Sequence, residues 1–353
     1  MLGVVSTQRE RNPLETGLRG IVSRPWLRRL LLAACAVLIG VGIAAGLYHV
    51  SVQPGAALVK LVFESGAEVT PPTNFDMVAR AVSETRGIVI TAAGAPDSVL
   101  NVYAPRTPHT GLPVILWIHG GGFISSSADT VKDYVTMLAN EGYVVANLDY
   151  TIAPDAHYPV PVQQANAALE YMSAHAADFG GDGAQLFVGG DSAGAQIASQ
   201  VAAVETNPAL AKSVGIVTSI APTDLRGAIL FCGLYDMKTV ADTGFPGLRT
   251  YLWAYTGTRN YTSFADIDQL STAHTATAAY PPTFISVGDA DPFRSQAAEF
   301  AASLTGKGVP VTNLTWDGTG SGLGHEYQFD FSRPEATTAF KDTVTFLASR
   351  SKE

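Results

Sequence analysis

The stretch that most limits what this chain can fold into is Val188-Gly189-Gly190-Asp191-Ser192-Ala193-Gly194. Ahead of it, Ala184–Val188 reads as a short buried strand. Behind it, Ala195–Val204 reads as a helix with Ile197, Val201 and Val204 along one side. A strand that enters a helix through Gly-x-Ser-x-Gly turns so tightly that the serine is held in strained backbone geometry, its oxygen pushed out of the sheet. Glycine is required two residues before and two after, where neighbouring backbone crowds in. The pentapeptide alone is weak evidence, since at about 7% Gly a chain of this length meets it by chance roughly one time in ten. The strand before it and the helix after it supply the context that the turn demands.

The rest of the chain repeats that alternation. Strand signals fall at Gly87–Thr91, Ser98–Tyr103, Pro113–Ile118 and Tyr143–Leu148, then at Ala228–Cys232, Thr283–Val287 and Val309–Trp316. Between them lie helical patterns at Asp129–Asn140, Pro161–Ala177, Ala193–Val204 and Ser295–Thr305, and a last one runs from about Arg333 to Ala348. The first two strands alternate and predict an antiparallel edge pair. The later ones are continuous apolar runs, as strands covered on both faces require. The fold class is therefore α/β, a mostly parallel sheet with helices on both faces. Residues 236–280 carry little strand signal but several aromatics, Phe245, Tyr251, Trp253, Tyr255, Tyr261 and Phe264, and read as a small cap or a pocket wall.

The chain has 353 residues, of which 47% are hydrophobic and 15% charged, with a formal net charge of -9. Six arginines (Arg9, Arg11, Arg19, Arg24, Arg28 and Arg29) crowd the N-terminus against Glu10 and Glu15, so the remainder is more acidic than the total suggests. An acidic body argues against nucleic acid and other polyanions as partners and favours small neutral substrates. Cys35 lies in an apolar run and Cys232 in a core strand, settings that should never meet, so no disulfide is expected.

Leu30–Tyr48 is nearly all apolar and about long enough to cross a bilayer at 1.5 Å per residue. With arginines on its N-terminal side, the positive-inside rule keeps residues 1–29 as a cytoplasmic tail and exports the chain beyond the apolar segment. We read residues 30–50 as a retained transmembrane signal anchor. A cleaved signal peptide using Ala44, Ala45 and Gly46 is the alternative, and Leu32-Ala33-Ala34-Cys35 has a weaker lipobox look. Residues 51–85 read as a linker and then a cap helix near Phe75–Val82.

Chemistry is suggested by a second motif, His119-Gly120-Gly121-Gly122-Phe123, directly after the strand ending at Ile118. Three glycines let the backbone turn its N–H groups toward open space, as stabilising a developing oxyanion requires. The N–H of Ala193, next to the serine, would complete the set. A phosphate cradle would instead want a helix start with Lys or Ser/Thr, which Phe123-Ile124 do not offer.

A nucleophilic Ser192 needs a histidine base and a carboxylate to orient it, in the chain order Ser, Asp or Glu, His. Only His274 and His325 come after Ser192. His325 ends a glycine-rich loop after the last strand and can swing over the serine, whereas His274 reads as a surface or capping residue. His119 reads as a brace for the glycine loop. Asp289 and Asp291 both sit in the loop after the strand Thr283–Val287, and spacing alone does not choose between them.

Taken together, His119–Phe123, Asp149–Pro154 with Tyr158-Pro159, Gly190–Gly194 and Asp291-Pro292-Phe293 resemble the bacterial hormone-sensitive-lipase-like carboxylesterases of the α/β-hydrolase superfamily, over roughly residues 85–350. The resemblance implies a catalytic domain at 86–350, Asp291 rather than Asp289 as the acid, and Gly121 and Gly122 as the oxyanion donors of the loop. It implies hydrolysis of small to medium carboxylic esters with no metal or organic cofactor. The family usually has Gly and Phe after the catalytic histidine, where this chain has Glu326 and Tyr327. Asp191 fits the family pattern and reads as a support for the elbow. The rival readings are a ligand-binding protein on the same fold and an envelope acyltransferase.

Overall fold

A computed structural model describes residues 25–64, 69–218 and 220–351. The contacts divide the chain between Pro54 and Gly55. The N-terminal unit holds one long helix, α1 (Pro25–Val50), which begins at a proline, a residue the first helical turn accepts. Pro25–Arg29, read from the sequence as tail, are therefore helical; the rest of that tail, residues 1–24, lies outside the described residues. Among the described residues, α1 alone contains a segment long and apolar enough to cross a membrane, the 19 residues Pro25–Ile43, and none of that segment is buried.

The division falls within the first turn of α2 (Gln53–Glu64), a helix where a linker was expected. Its Ala56-Ala57-Leu58 core has high helix propensity and no interrupting glycine or proline after Gly55. Next comes α3 (Phe75–Ala81), which packs on α4 (Lys132–Asn140) and on the first strand.

Eight strands form one sheet: β1 (Val82–Ile90), β2 (Ser98–Pro105), β3 (Leu112–Ile118), β4 (Val144–Asp149), β5 (Gly181–Asp191), β6 (Leu225–Phe231), β7 (Thr283–Ser286) and β8 (Val311–Leu314). Their order is β1-β2-β4-β3-β5-β6-β7-β8. β1 pairs antiparallel with β2 and β2 with β4, and every other pairing is parallel. One detail departs from the sequence reading. β1 begins at Val82 rather than Gly87, because Gly87 adopts a positive φ at a register shift within the strand instead of opening it. The first two strands form the antiparallel pair expected at one edge of the sheet, with β2 on its inner side buried over Leu100–Ala104 between β1 and β4.

Helices cover both faces: α5 (Val160–His175), α6 (Ser192–Thr206), α7 (Pro208–Val214), α11 (Arg294–Gly306) and α12 (Pro334–Arg350). Three further short helices, α8 (Leu248–Thr256), α9 (Ile267–Leu270) and α10 (Thr272–Thr275), lie within residues 236–280. The core is centred on Trp117 of β3, fully buried against Tyr134 and Phe231 at ring separations of 5.1 and 5.4 Å. Parallel pairing of β3 with β5 sets Ile118 beside Gly190, so the glycine loop and the Ser192 turn leave neighbouring strands at the same edge. In open α/β sheets, sites form at this carboxyl edge.

Candidate active site

Ser192 is the first residue of α6, with Asp191 ending β5 immediately before it. Its φ of 52° is the left-handed conformation that costs an L-residue free energy and turns its side chain out of the sheet. A Cβ at Gly190 would stand 2.5 Å from the Ile118 carbonyl oxygen, and one at Gly194 would press on the same oxygen and on that of His119, 2.5 Å away. The elbow and the start of the glycine loop therefore touch backbone to backbone. Gly194→Ala is expected to force them apart, lowering stability by about 1–3 kcal/mol as an overpacked core does and moving the loop. An unfolding midpoint equal to wild type would refute this packing account.

Ser192 Oγ lies 2.9 Å from His325 Nε2, and His325 Nδ1 lies 2.9 Å from Asp291 Oδ2. The other Asp291 oxygen accepts from the Phe293 N–H at 2.8 Å, which fixes the carboxylate's orientation. Asp291 thus serves the turn into α11 and faces the imidazole at once. Its neighbour Asp289 turns away: it accepts from the backbone N–H groups of Leu323 (2.6 Å) and Gly322 (3.2 Å), which hold its carboxyl below the usual range. Asp289 shapes the loop that delivers His325. His274 hydrogen-bonds the buried Asp236 at 2.6 Å, remote from Ser192 in the hydrogen-bond pattern.

The glycine loop is anchored by Asp191, which accepts from Trp117 Nε1 at 3.1 Å and from the Gly120 N–H at 2.8 Å. Gly121 and Gly122 both have positive φ, and the Gly121 carbonyl accepts from the Ser125 hydroxyl and N–H, which fixes the turn of the loop. From beneath, His119 stacks on Tyr150 at 4.4 Å and contacts the Gly120 carbonyl through Nδ1 at 2.9 Å. The Asp149–Pro154 stretch joins in through the Ala153 N–H, which donates to Phe123 O at 2.7 Å. Phe123 stacks on Tyr255, Tyr251 lies over Gly122, and Phe245 and Phe293 meet the His325 ring edge-on at 4.8 and 5.4 Å. Of the aromatics in 236–280, Phe245, Tyr251 and Tyr255 reach the histidine or the glycine loop.

Two residues join the site that the sequence does not assign to it: Cys232, which reads there as core, and Glu326, which stands there only as a departure from the family pattern. Cys232 comes directly after β6 with a φ of 42° and is fully buried, its sulfur within 4.8 Å of donor atoms of Asp291 and His325. Burial pushes its thiol up to about 12, so it is neutral beside the imidazole. Glu326, with a φ of 60°, holds a carboxylate oxygen 3.8 Å from His325 Nε2. Burial raises its carboxyl above the usual range, and burial together with Glu326 raises that of Asp191. For His325, burial alone would lower the imidazole, but its hydrogen bond to the Asp291 carboxylate raises it, and the net direction is upward. With the thiol neutral, Asp291 is the charged partner responsible. The donor sets Cys232/Asp291/His325 and Asp236/His274/Glu299 each gather within 4.8 Å, the first already engaged in the chain to Ser192.

A family model described as alpha/beta hydrolase fold matches residues 115–325, more than half of the chain. The carboxylesterase NlhH of Mycobacterium tuberculosis is 30% identical over 235 residues, covering 62% of this chain and 68% of that protein. Esterase LipI of the same organism is 26% identical over 271 residues, 71% of this chain and 79% of its own. Among solved structures, a bacterial heroin esterase superposes with a TM-score of 0.67 at 23% identity, covering 83% of this chain and 91% of that one. Esterase B from Lactobacillus rhamnosis reaches 0.71 at 20% identity, covering 85% and 96%. With its mostly parallel sheet and the match running from β3 to His325, the chain belongs to the hormone-sensitive-lipase-like carboxylesterase family of the α/β-hydrolase fold.

Proposed function

We propose that the protein is a serine carboxylesterase acting on small to medium carboxylic esters through an acyl-enzyme on Ser192. The observation that carries this reading is the pair of 2.9 Å contacts running from Ser192 through His325 to Asp291 beside the glycine loop. His325 Nε2 takes the serine proton as Oγ attacks the ester carbonyl carbon, and Asp291 stabilises the imidazolium. The oxygen that becomes negative is received by the N–H groups of Gly121, Gly122 and Ala193, each such donor being worth about 3–4 kcal/mol. As the tetrahedral species collapses, the carbon–oxygen bond to the alcohol breaks and His325 returns the proton to the departing oxygen. Water then releases the acid by the same sequence. The wall formed by Phe245, Tyr251 and Phe293 supports an apolar acyl arm of modest length.

In this reading residues 86–350 form the catalytic domain, with 236–280 contributing the pocket wall. The unburied apolar helix α1 supports a signal anchor that tethers the domain on the side of the membrane away from the cytoplasm. The test is hydrolysis of nitrophenyl esters of rising acyl length by the full chain in mild detergent. Rates should peak at short to medium chains and fall as the chain outgrows the aromatic wall; a folded protein that cleaves none of them refutes the proposal.

The pH profile gives a second check. Only the neutral imidazole accepts the serine proton, so kcat/KM should rise with pH through the His325 pKa. With that pKa raised, the midpoint is expected above the ordinary imidazole value of about 6.5. A limb centred below that value would contradict the Asp291 contact.

A further inference from the structure

The two arms of an ester must leave the reaction centre in different directions, and His325 has two distinct surroundings. The rings of Phe245 and Phe293 form one. Neither ring is among the residues lining a cleft of about 360 Å³ that also reaches His325 and is bounded by Gly120, Gly121, Glu326, Asp330 and Arg333. We propose that this cleft receives the leaving-alcohol half of the ester and that Glu326 makes it select alcohols carrying a positive charge. The inference rests on the serine-esterase reading above and adds a substrate class to it.

Proton transfer dictates the placement. The departing oxygen collects its proton from His325 Nε2, so it must come within hydrogen-bond reach of that atom. Glu326 Oε1 lies 3.8 Å from Nε2 and 3.1 Å from where a Cβ on Gly120 would be. The carboxyl therefore stands between the base and the glycine loop, and whatever is bonded to the departing oxygen passes along it.

The charges that face the cleft set the sign of the selection. Arg333 is paired with Asp330 at 3.2 Å, and among the described residues no lysine or arginine is paired with Glu326. Asp191 lies behind Gly120, and Asp291 is engaged with His325 Nδ1. Apart from the imidazole itself, Glu326 thus has only acids and the committed Arg333 around it. When the imidazole is neutral, as the attacking form requires, Glu326 has no cationic partner beside it among the described residues, and a substrate cation would supply one. The backbone adds an independent pointer: φ of 60° is a conformation glycine adopts freely and glutamate does not, and such strain at a site signals a side chain held there for use. Because burial raises the Glu326 carboxyl, its charge, and with it the preference, grows as pH rises.

The experiment compares kcat/KM for acetylcholine with that for its neutral carbon isostere, using the full chain in mild detergent. Taking the ratio cancels any effect on the nucleophile or base, which both esters share. In wild type the ratio is expected to favour the cation by about tenfold and to rise between acidic and mildly alkaline pH. In Glu326→Gln it should fall toward unity and lose its pH dependence. Glu326→Gly, which relieves the positive φ and so should fold at least as well, should give the same loss. A wild-type ratio near unity, or a ratio both variants leave unchanged, while the neutral ester is hydrolysed, overturns the subsite. If the folded protein hydrolyses neither ester, the serine-esterase reading falls and takes this one with it.

Discussion

Ser192→Ala is expected to lower kcat for nitrophenyl esters by about 10⁵-fold or more, as removal of the nucleophile does in other enzymes of this chemistry, and to abolish covalent labelling by a fluorophosphonate. The rest of the site should survive. The substitution leaves the Asp191 bonds to Trp117 and Gly120 intact and keeps Asp291 on His325, so substrate still meets a formed loop. KM should therefore change little, and whatever rate remains over water measures the oxyanion loop and binding alone. The readout separates two outcomes. A variant within about tenfold of wild type would mean that another group attacks the ester. Cys232 is the other nucleophilic side chain near His325, but it is fully buried and its thiol is raised to about 12. Loss of labelling with an unchanged unfolding midpoint would instead assign the attack to Ser192. It would also dispose of the ligand-binding alternative, since wild type would then carry a labelled serine.

How much of this can be read from the sequence depends on whether the determinant is local. The Ser192 turn and the glycine loop are specified by glycines a few residues apart, and backbone contact between Gly194 and Ile118 explains why nothing larger stands there. His325 can be singled out by chain order and by its place after the last strand. Asp289 and Asp291 cannot be separated by spacing, because they leave the same loop and differ only in direction. One points at the N–H groups of Leu323 and Gly322, the other at the imidazole, and direction is set by how two distant loops meet. Cys232 is invisible for a similar reason: a cysteine ending an apolar strand looks like core until β6 is set beside β7 and the His325 loop arrives over it. Glu326 is legible as a residue out of pattern, but not as a carboxyl between base and oxyanion loop. The helix α2 escapes a sequence reading because proline and glycine at its start look like linker when they occupy its first turn.

Asp291→Asn is expected to reduce kcat by about 10⁴-fold, while Asp289→Asn costs less than about tenfold. The asymmetry comes from protons rather than from distance alone. Asp291 accepts from the N–H at Nδ1 of His325, which leaves Nε2 free to take the serine proton. An asparagine amide turned to Nδ1 donates instead, so Nδ1 becomes the acceptor and Nε2 carries the hydrogen, the wrong tautomer for a base. The geometry survives and the chemistry does not. Asp291→Asn also removes the anion that raises the imidazole, so any residual activity should show its rising pH limb displaced toward acid. Asp289→Asn keeps one side-chain oxygen to accept from Leu323 or Gly322, which loosens the loop without reversing a proton. Its damage should therefore appear in thermal stability before it appears in kcat, with the pH limb where wild type has it. If Asp289→Asn were the variant to lose four decades and move that limb, the loop carrying His325 would have to sit differently in the working enzyme, with Asp289 beneath the imidazole. The 2.9 Å contact to Asp291 argues for the opposite result.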